Sequence, residues 1–469
     1  MRKYSIALVA GLALASACID NPIVNPVDSP TTDAVSGALT GAGVQALSLG
    51  VLAQDRLLAR ETTPLILANI YSRDIVRIDP NEPRYVTETL GGTADPASFS
   101  GSGGWGQGYT AIRAATALLA GLPGAVPSQV STGQQKATAG LILTFKGLDY
   151  YRLLELRDTL GIAYQPLAAD SVGAIMCKGR ALDYIAALLD SGNTALVAAA
   201  GASLPFTPPT GFSAYGRNYS TSANLILLNR GLKGKVDVYR GLQHTSPVAT
   251  AFAAAITELT AALGGAAPGA VPASSFKNGA YVTFVAGGTE NTPNPIDDSR
   301  IGANARVAAA FQAGDTRASK IIPRSTIAGS GITTSINYIG AATSNNANLL
   351  VPIAILRDEE VVLLRAQAYF EAGQFANGAA DLNSVRTSYG LAAIAVPADI
   401  ATARTALMYE KRFSLFMEGP QHLVDMRAYG LLKPGVTPAE VTGDPFNTAF
   451  PIPKTEADPR GGRQNLTCS

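Results

Sequence analysis

The chain has 469 residues, with 36 Lys and Arg against 35 Asp and Glu, two histidines and three cysteines. A net charge of +1 supplies no field for steering toward phosphates, which argues against a nucleic-acid partner; the few His and Cys leave little for a His-built metal site, a zinc ribbon or a dense disulfide framework. Charged residues make up 15% of the chain, against roughly 25% in an average domain, and 47 Gly with 28 Pro predict long loops in an exported protein.

Arg2 and Lys3 precede a charge-free run from Ile6 to Ala17. A membrane span needs about 20 apolar residues, so residues 1–17 are expected to be a signal peptide. Leu14-Ala15-Ser16-Ala17-Cys18 resembles a bacterial lipobox, in which Cys18 becomes the first mature residue and carries lipid. Ordinary cleavage after Ala17 is the alternative. Several acyl chains together anchor firmly where one does not. Residues 18–30 hold Pro22, Pro26 and Pro30 and read as an extended tether. Residues 31–469 are expected to form one domain, with an N-terminal part (31–263), a loop-rich middle (264–350) and a C-terminal part (351–469).

The dominant pattern along the mature chain is helical. Thr40 to Arg60 is Ala/Leu-rich. Tyr109 to Leu122 places Ile112, Ala115, Leu119 and Leu122 at spacings of three and four, which predicts an amphipathic helix. Gln134 to Leu156 and Ser171 to Leu189 repeat the pattern, and Ser220 to Gly234 and Lys235 to Leu263 give a fifth and sixth helix. Short β-prone runs at Tyr281 to Val285 and Thr333 to Tyr338 predict small hairpins. Val361, Leu364 and Ala368 share one helix face up to Gly373, and Phe375, Ala379, Leu382, Val385 and Tyr389 share the next, stopped at Gly390. This pair resembles a tetratricopeptide hairpin, with Leu225 to Gly241 as a degenerate second copy. The fold class expected is mainly α: a tetratricopeptide-like helix-pair scaffold with irregular loops and a few short β-hairpins.

Downstream of the hairpin run Tyr409-Glu410-Lys411-Arg412-Phe413-Ser414-Leu415-Phe416-Met417-Glu418-Gly419, then His422, Asp425-Met426-Arg427, Pro451-Ile452-Pro453-Lys454-Thr455-Glu456 and Gln464-Asn465. Trp105, Tyr109 and Ile112-Arg113-Ala114-Ala115 lie upstream. With the lipobox, this ordered series resembles the SusD/RagB family of outer-membrane nutrient-binding lipoproteins. His422 stands where that family usually has Arg. The resemblance implies a surface-exposed lipoprotein on the outer membrane that captures an oligosaccharide and delivers it to a TonB-dependent (SusC-like) transporter, without covalent chemistry. A peptide ligand and a helical-repeat assembly scaffold are the alternatives. In the resembled family, ligands sit in loops from the N-terminal region and the variable middle; here the candidates are Tyr71, Arg73, Asn81, Tyr85, Trp105, Tyr281, Asn291 and Asn294.

Glu410, Arg412, Glu418, Asp425 and Arg427 cluster beside an apolar run and are expected to form a buried structural network, since breaking one partner of such a pair is costly. The competing reading is a glycosidase carboxylate pair. No Gly-x-Ser-x-Gly elbow occurs, the Gly101 to Gly106 run lacks a phosphate-loop context, and Asp297-Asp298 lacks a full calcium pattern. No catalytic residue, cofactor or metal is therefore expected. Cys177 and Cys468 are a candidate disulfide in an oxidising envelope, with a buried free Cys177 as the alternative.

Overall fold

The computed structural model describes residues 38–60, 63–164, 173–243, 249–285, 294, 296, 298–338 and 350–460. The expected signal peptide, Cys18, the tether, Asn291 and Cys468 lie outside the described residues.

Among the described residues, ten helices of eight residues or more carry the architecture: α1 Gly41–Arg60, α2 Trp105–Gly121, α3 Thr132–Arg157, α4 Lys178–Ala198, α5 Ser222–Leu242, α6 Ala249–Ala262, α7 Asp358–Glu371, α8 Phe375–Ser388, α9 Ile400–Ser414 and α10 Gln421–Ala428. Most pack mainly on their neighbours in the chain, from α1 on α2 through to α9 on α10, while α9 packs most on α7. That series is the layout of a helix-pair solenoid, in which each unit buries its apolar face on the next. The fold is mainly α, as expected.

Local chemistry sets many of the helix ends. Ser131 Oγ accepts from the Gln134 amide (3.3 Å) while Gln134 Oε1 accepts from the Ser131 amide (3.0 Å). This capping box starts α3. Asp399 starts α9 by accepting from the Thr402 amide at 2.7 Å. Gly373 and Gly390 hold φ of 74° and 82°, the left-handed stops expected after α7 and α8.

Two expected boundaries move. The break expected at Gly234 falls after Leu242 instead, because Gly234 is a contact point: a Cβ there would lie 2.5 Å from Leu259 Cγ on α6. Consequently Leu225 to Gly241 is one helix, paired with α6, and forms no hairpin of its own. The helix expected from Ser171 begins at Lys178, since Ile175 and Met176 form a strand.

Among the described residues, eight short strands make four two-stranded antiparallel sheets: β1 Ile75–Arg77 with β5 Ile301–Ala303, β2 Ile162–Ala163 with β3 Ile175–Met176, β4 Gly279–Val282 with β8 Ile353–Arg357, and β6 Ile321–Gly329 with β7 Ile332–Tyr338. The β6–β7 hairpin turns through Ser330 and Gly331, both with positive φ, which matches the natural strand twist. The expected run at 333–338 is this hairpin. The run at 281–285 instead pairs β4 with β8, far along the chain. Among the described residues no helix is long and apolar enough to cross a membrane.

The five expected network charges do not pair with one another. Each reaches elsewhere. Glu410 is held by Arg317 (2.7 Å) and Arg386 (2.8 Å), Arg412 by Asp74 (2.8 Å), Glu418 by Arg357 (2.7 Å) and Asp425 by Lys411 (2.7 Å). Arg427 donates to the backbone carbonyls of Thr448 (2.9 Å) and Glu155 (2.5 Å). Glu410 is fully buried and partners both Arg317 and Arg386, but Arg317 keeps Asp315 (2.8 Å), so Glu410→Ala should lower stability by about 1–3 kcal/mol, the cost of leaving buried polar groups one partner short. Urea unfolding checks this; an unchanged midpoint contradicts it.

Lys320 donates to the carbonyls of Phe413 and Ser414, both at 2.8 Å. Burial pulls its ammonium down to about 8, against about 10.4 in an unfolded chain. The unfolded state therefore binds the extra proton between those values, and this group's contribution to stability rises with pH across that window. The stability difference between the native chain and Lys320→Met should shift toward the native chain from pH 8 to pH 10, as measured by denaturant melts.

Cys177 precedes α4 and is disulfide-bonded, with its partner outside the described residues. We propose Cys468 as that partner, Cys18 being the expected lipid site. Non-reducing peptide mapping should recover a joined Cys177–Cys468 peptide; a free Cys468 thiol contradicts the pairing.

Candidate functional site

The β1–β5 pairing joins the N-terminal region to the middle of the chain. Ile75, Val76 and Arg77 face Ala303, Gly302 and Ile301 in register. The Ile78 amide donates to the Arg300 carbonyl at 2.9 Å, extending the contact outward. The residues just beyond the strands, 78–85 and 298–300, are thereby held side by side.

The first of these loops is shaped by Asp79, whose Oδ1 accepts from the Asn81 amide at 3.0 Å, a local side-chain turn. That turn leaves Asn81 exposed. Asp79 Oδ2 also accepts from Arg300 Nη1 at 2.7 Å, and Arg300 forks onto both oxygens of Asp298 at 2.8 and 2.9 Å. Arg77 lies 3.3 Å from Asp298 and 3.6 Å from Asp79. Burial opposes ionisation of Asp298, but hydrogen bonds from Arg300 outweigh it and hold the carboxyl below the usual range. The result is a rigid charged lattice, since planar forks restrict orientation more than single bonds do.

Two aromatic rings rest on this lattice. Tyr85 and Phe99 stack with centroids 4.6 Å apart and planes at 27°. The Arg77 guanidinium lies 3.9 Å from the Tyr85 centroid and Arg84 lies 5.1 Å from that of Phe99, within cation–π range. Arg84 is itself forked onto Glu82 at 2.7 and 2.6 Å. Phe99 is positioned by a tight turn in which Ser98 Oγ accepts from the Ser100 amide (3.2 Å) and Gly101 sits against Pro96. A Cβ on Gly101 would come within 2.3 Å of the Pro96 carbonyl oxygen, so glycine is required there. Tyr85 and Phe99 are half-buried, while Arg84 and Arg300 are exposed. Together they form a surface patch of two rings framed by three guanidinium and three carboxylate groups.

The eight candidates divide by location. Asn81 and Tyr85 belong to the patch. Tyr71 is fully buried and stacks on Phe450 at 4.8 Å. Arg73 turns inward and forks onto Asp444 at 2.8 Å to both oxygens. Trp105 is 5% exposed, packs on Tyr109 and donates to Glu456 at 3.3 Å. Tyr281 is buried against Tyr215, its hydroxyl donating to the Lys277 carbonyl at 2.8 Å. Asn294 is buried and ties Val351 by a 2.6 Å bond to its carbonyl. In this structure these five offer almost no accessible surface to a ligand. Arg77 and Arg300 were not among the candidates. The available signal was Asp298, which lies in the acid pair first weighed for calcium and instead fixes Arg300.

An open cleft of about 760 Å³ lies between residues 394–398 and α9. Its walls are mostly small side chains, with Arg386 and Tyr409 at one end, and lack the convergent polar groups that orient a ligand.

No protein-family model and no curated protein matches the sequence. Solved structures do. A SusD superfamily protein from Bacteroides fragilis aligns over 92% of this chain and 99% of its own at 15% identity, with a TM-score of 0.65. A SusD-like carbohydrate binding protein from Bacteroides vulgatus aligns over 84% of each chain at 13% identity, with a TM-score of 0.59. A structure solved with a xylogluco-oligosaccharide aligns over 90% of this chain and 98% of its own at 13% identity, with a TM-score of 0.64. At such identities the likeness is one of fold, and the chain has the SusD-like fold, in agreement with the resemblance drawn from its C-terminal motifs.

Proposed function

We propose that this SusD-like chain is a non-catalytic surface binder, anchored to the outer membrane by lipid on Cys18, that captures an oligosaccharide and passes it to a TonB-dependent transporter. The observation that carries the reading is the β1–β5 junction, which gathers Asn81, Tyr85, Phe99, Arg84 and Arg300 into one accessible patch. Tyr85 is sandwiched between Phe99 and Arg77, so a sugar C–H face would meet the Phe99 ring by displacing the exposed Arg84 that lies over it. Guanidinium, carboxylate and amide groups around them exchange hydrogen bonds with hydroxyls, and their fixed forks lower the cost of ordering on binding. Arg77, Arg84 and Arg300 are matched by Asp79, Glu82 and Asp298, so a neutral glycan suits the patch better than a polyanion. Two of the structural neighbours support a sugar: one is named as carbohydrate binding and one was solved with a xylogluco-oligosaccharide. The chain's one tryptophan is buried, which removes an indole platform and keeps a peptide as the second reading.

Glycan and peptide arrays followed by calorimetry test this. A saturable glycan ligand is expected, and Tyr85→Ala should weaken it at least about tenfold, the scale of one aromatic anchor. Arg300→Ala should weaken it as well. Binding indifferent to both substitutions, selective peptide binding, or turnover of any oligosaccharide overturns the proposal.

A further inference from the structure

A second cleft, of about 290 Å³, opens between α9 and α10 on the C-terminal part of the chain. Its walls include Met408, Tyr409, Arg412 and Phe413 from α9 and His422 and Met426 from α10. The chain has five methionines and two histidines in all. Two of those methionines and one of those histidines converge on this cleft. Among the described residues no three His, Cys, Asp or Glu side chains are grouped to hold a metal; the donors this cleft offers beside His422 are the thioethers of Met408 and Met426.

His422 is oriented in the manner of a metal ligand. Its Nδ1 meets Asp74 Oδ2 at 2.6 Å. A carboxylate can only accept, so Nδ1 carries a proton, and the metal-binding form of the ring is the neutral one, in which Nε2 offers its lone pair; this carboxylate–histidine arrangement fixes tautomer and ring plane at metal sites. Asp74 is itself fully buried and fixed by Ser72 Oγ (3.0 Å) and Arg412 Nε (2.8 Å). Helical spacing puts Met426 one turn beyond His422 on the same face of α10, and Met408 one turn before Arg412 on α9. Arg412 and His422 meet at Asp74, which brings the α9 and α10 faces of the cleft together.

We infer that the geometry assigns this cleft as a soft monovalent metal site, taking Cu(I) through His422 Nε2 and the Met408 and Met426 sulfurs. Thioethers select soft ions over Zn(II), Mg(II) or Ca(II). The set supplies no anionic ligand, which suits a monovalent cation better than a divalent one. Arg412 is neutralised by Asp74 and does not oppose a single positive charge. Tyr409 and Phe413, tilted edge to face at 4.8 Å, add aromatic rings that favour a nearby cation.

The test is Cu(I) titration of the complete chain carrying Cys18→Ser, which removes a competing thiol, with bicinchoninate as the competing chelator and a reductant that leaves disulfides intact. One Cu(I) per chain is expected, with X-ray absorption showing sulfur and nitrogen neighbours. Met408→Leu and Met426→Leu keep volume and apolar character, and each should weaken Cu(I) by about 10–100-fold, the range seen when a supporting metal group is lost. His422→Gln should do likewise, and glycan binding by the Met variants should be unchanged. No stoichiometric Cu(I), an affinity untouched by both Met→Leu changes, or equally tight Zn(II) overturns the inference.

Discussion

A single buried carboxylate, Asp74, joins all three parts of the chain. Its backbone carbonyl accepts from the Asn304 amide of the middle part (2.9 Å). Its side chain binds Arg412 and His422 of the C-terminal part (2.8 and 2.6 Å). Burial disfavours its charge, but His422 and Arg412 more than offset that and hold its pKa below the ordinary range. A carboxylate so placed cannot lose a partner cheaply, so the strand that follows it has little freedom. That strand is β1, and the β1–β5 register determines which loops lie side by side at the aromatic patch.

The low charge content takes on a definite meaning in this setting. Many of the charges are buried in pairs: Arg365 forks onto Asp381 beneath the α7–α8 pair (2.7 Å), while Arg317 on Glu410 (2.7 Å) and Arg73 on Asp444 (2.8 Å) join segments distant in sequence. Arginine is well suited to this work because its fork is planar and weakly hydrated. Such pairs specify which segments meet more than they stabilise the fold. In a solenoid whose helices touch mainly their neighbours, they are also what ties the irregular middle to the scaffold. The patch uses the same chemistry at the surface, where Arg77 and Arg300 stay partnered and the rings are held ready for a ligand.

The helices were legible because their apolar residues recur at three and four, and because Gly373 and Gly390 stop α7 and α8 as left-handed caps should. Gly234 misled for a physical reason: a glycine that admits a neighbouring Leu259 looks, in sequence, like one that ends a helix. The C-terminal motif series carried the fold resemblance, while the partners of Glu410, Arg412, Glu418 and Asp425 were hidden, since opposite charges near in sequence need not be near in space. Of the site, Asn81 and Tyr85 were legible as loop residues. Arg300 was not, because β1 and β5 are three residues each and pair across about half of the chain. Tyr71 and Trp105 have the chemistry of a sugar platform, but sequence cannot tell a ring that faces solvent from one stacked on Phe450 or Tyr109.

The most direct measurement is a crystal structure of the chain with the best glycan from an array. The account predicts a sugar ring against the Tyr85–Phe99 stack, with hydroxyls bonded to Asn81 or Arg300 and the β1–β5 register unchanged. A ligand seated elsewhere, with the patch empty, contradicts it.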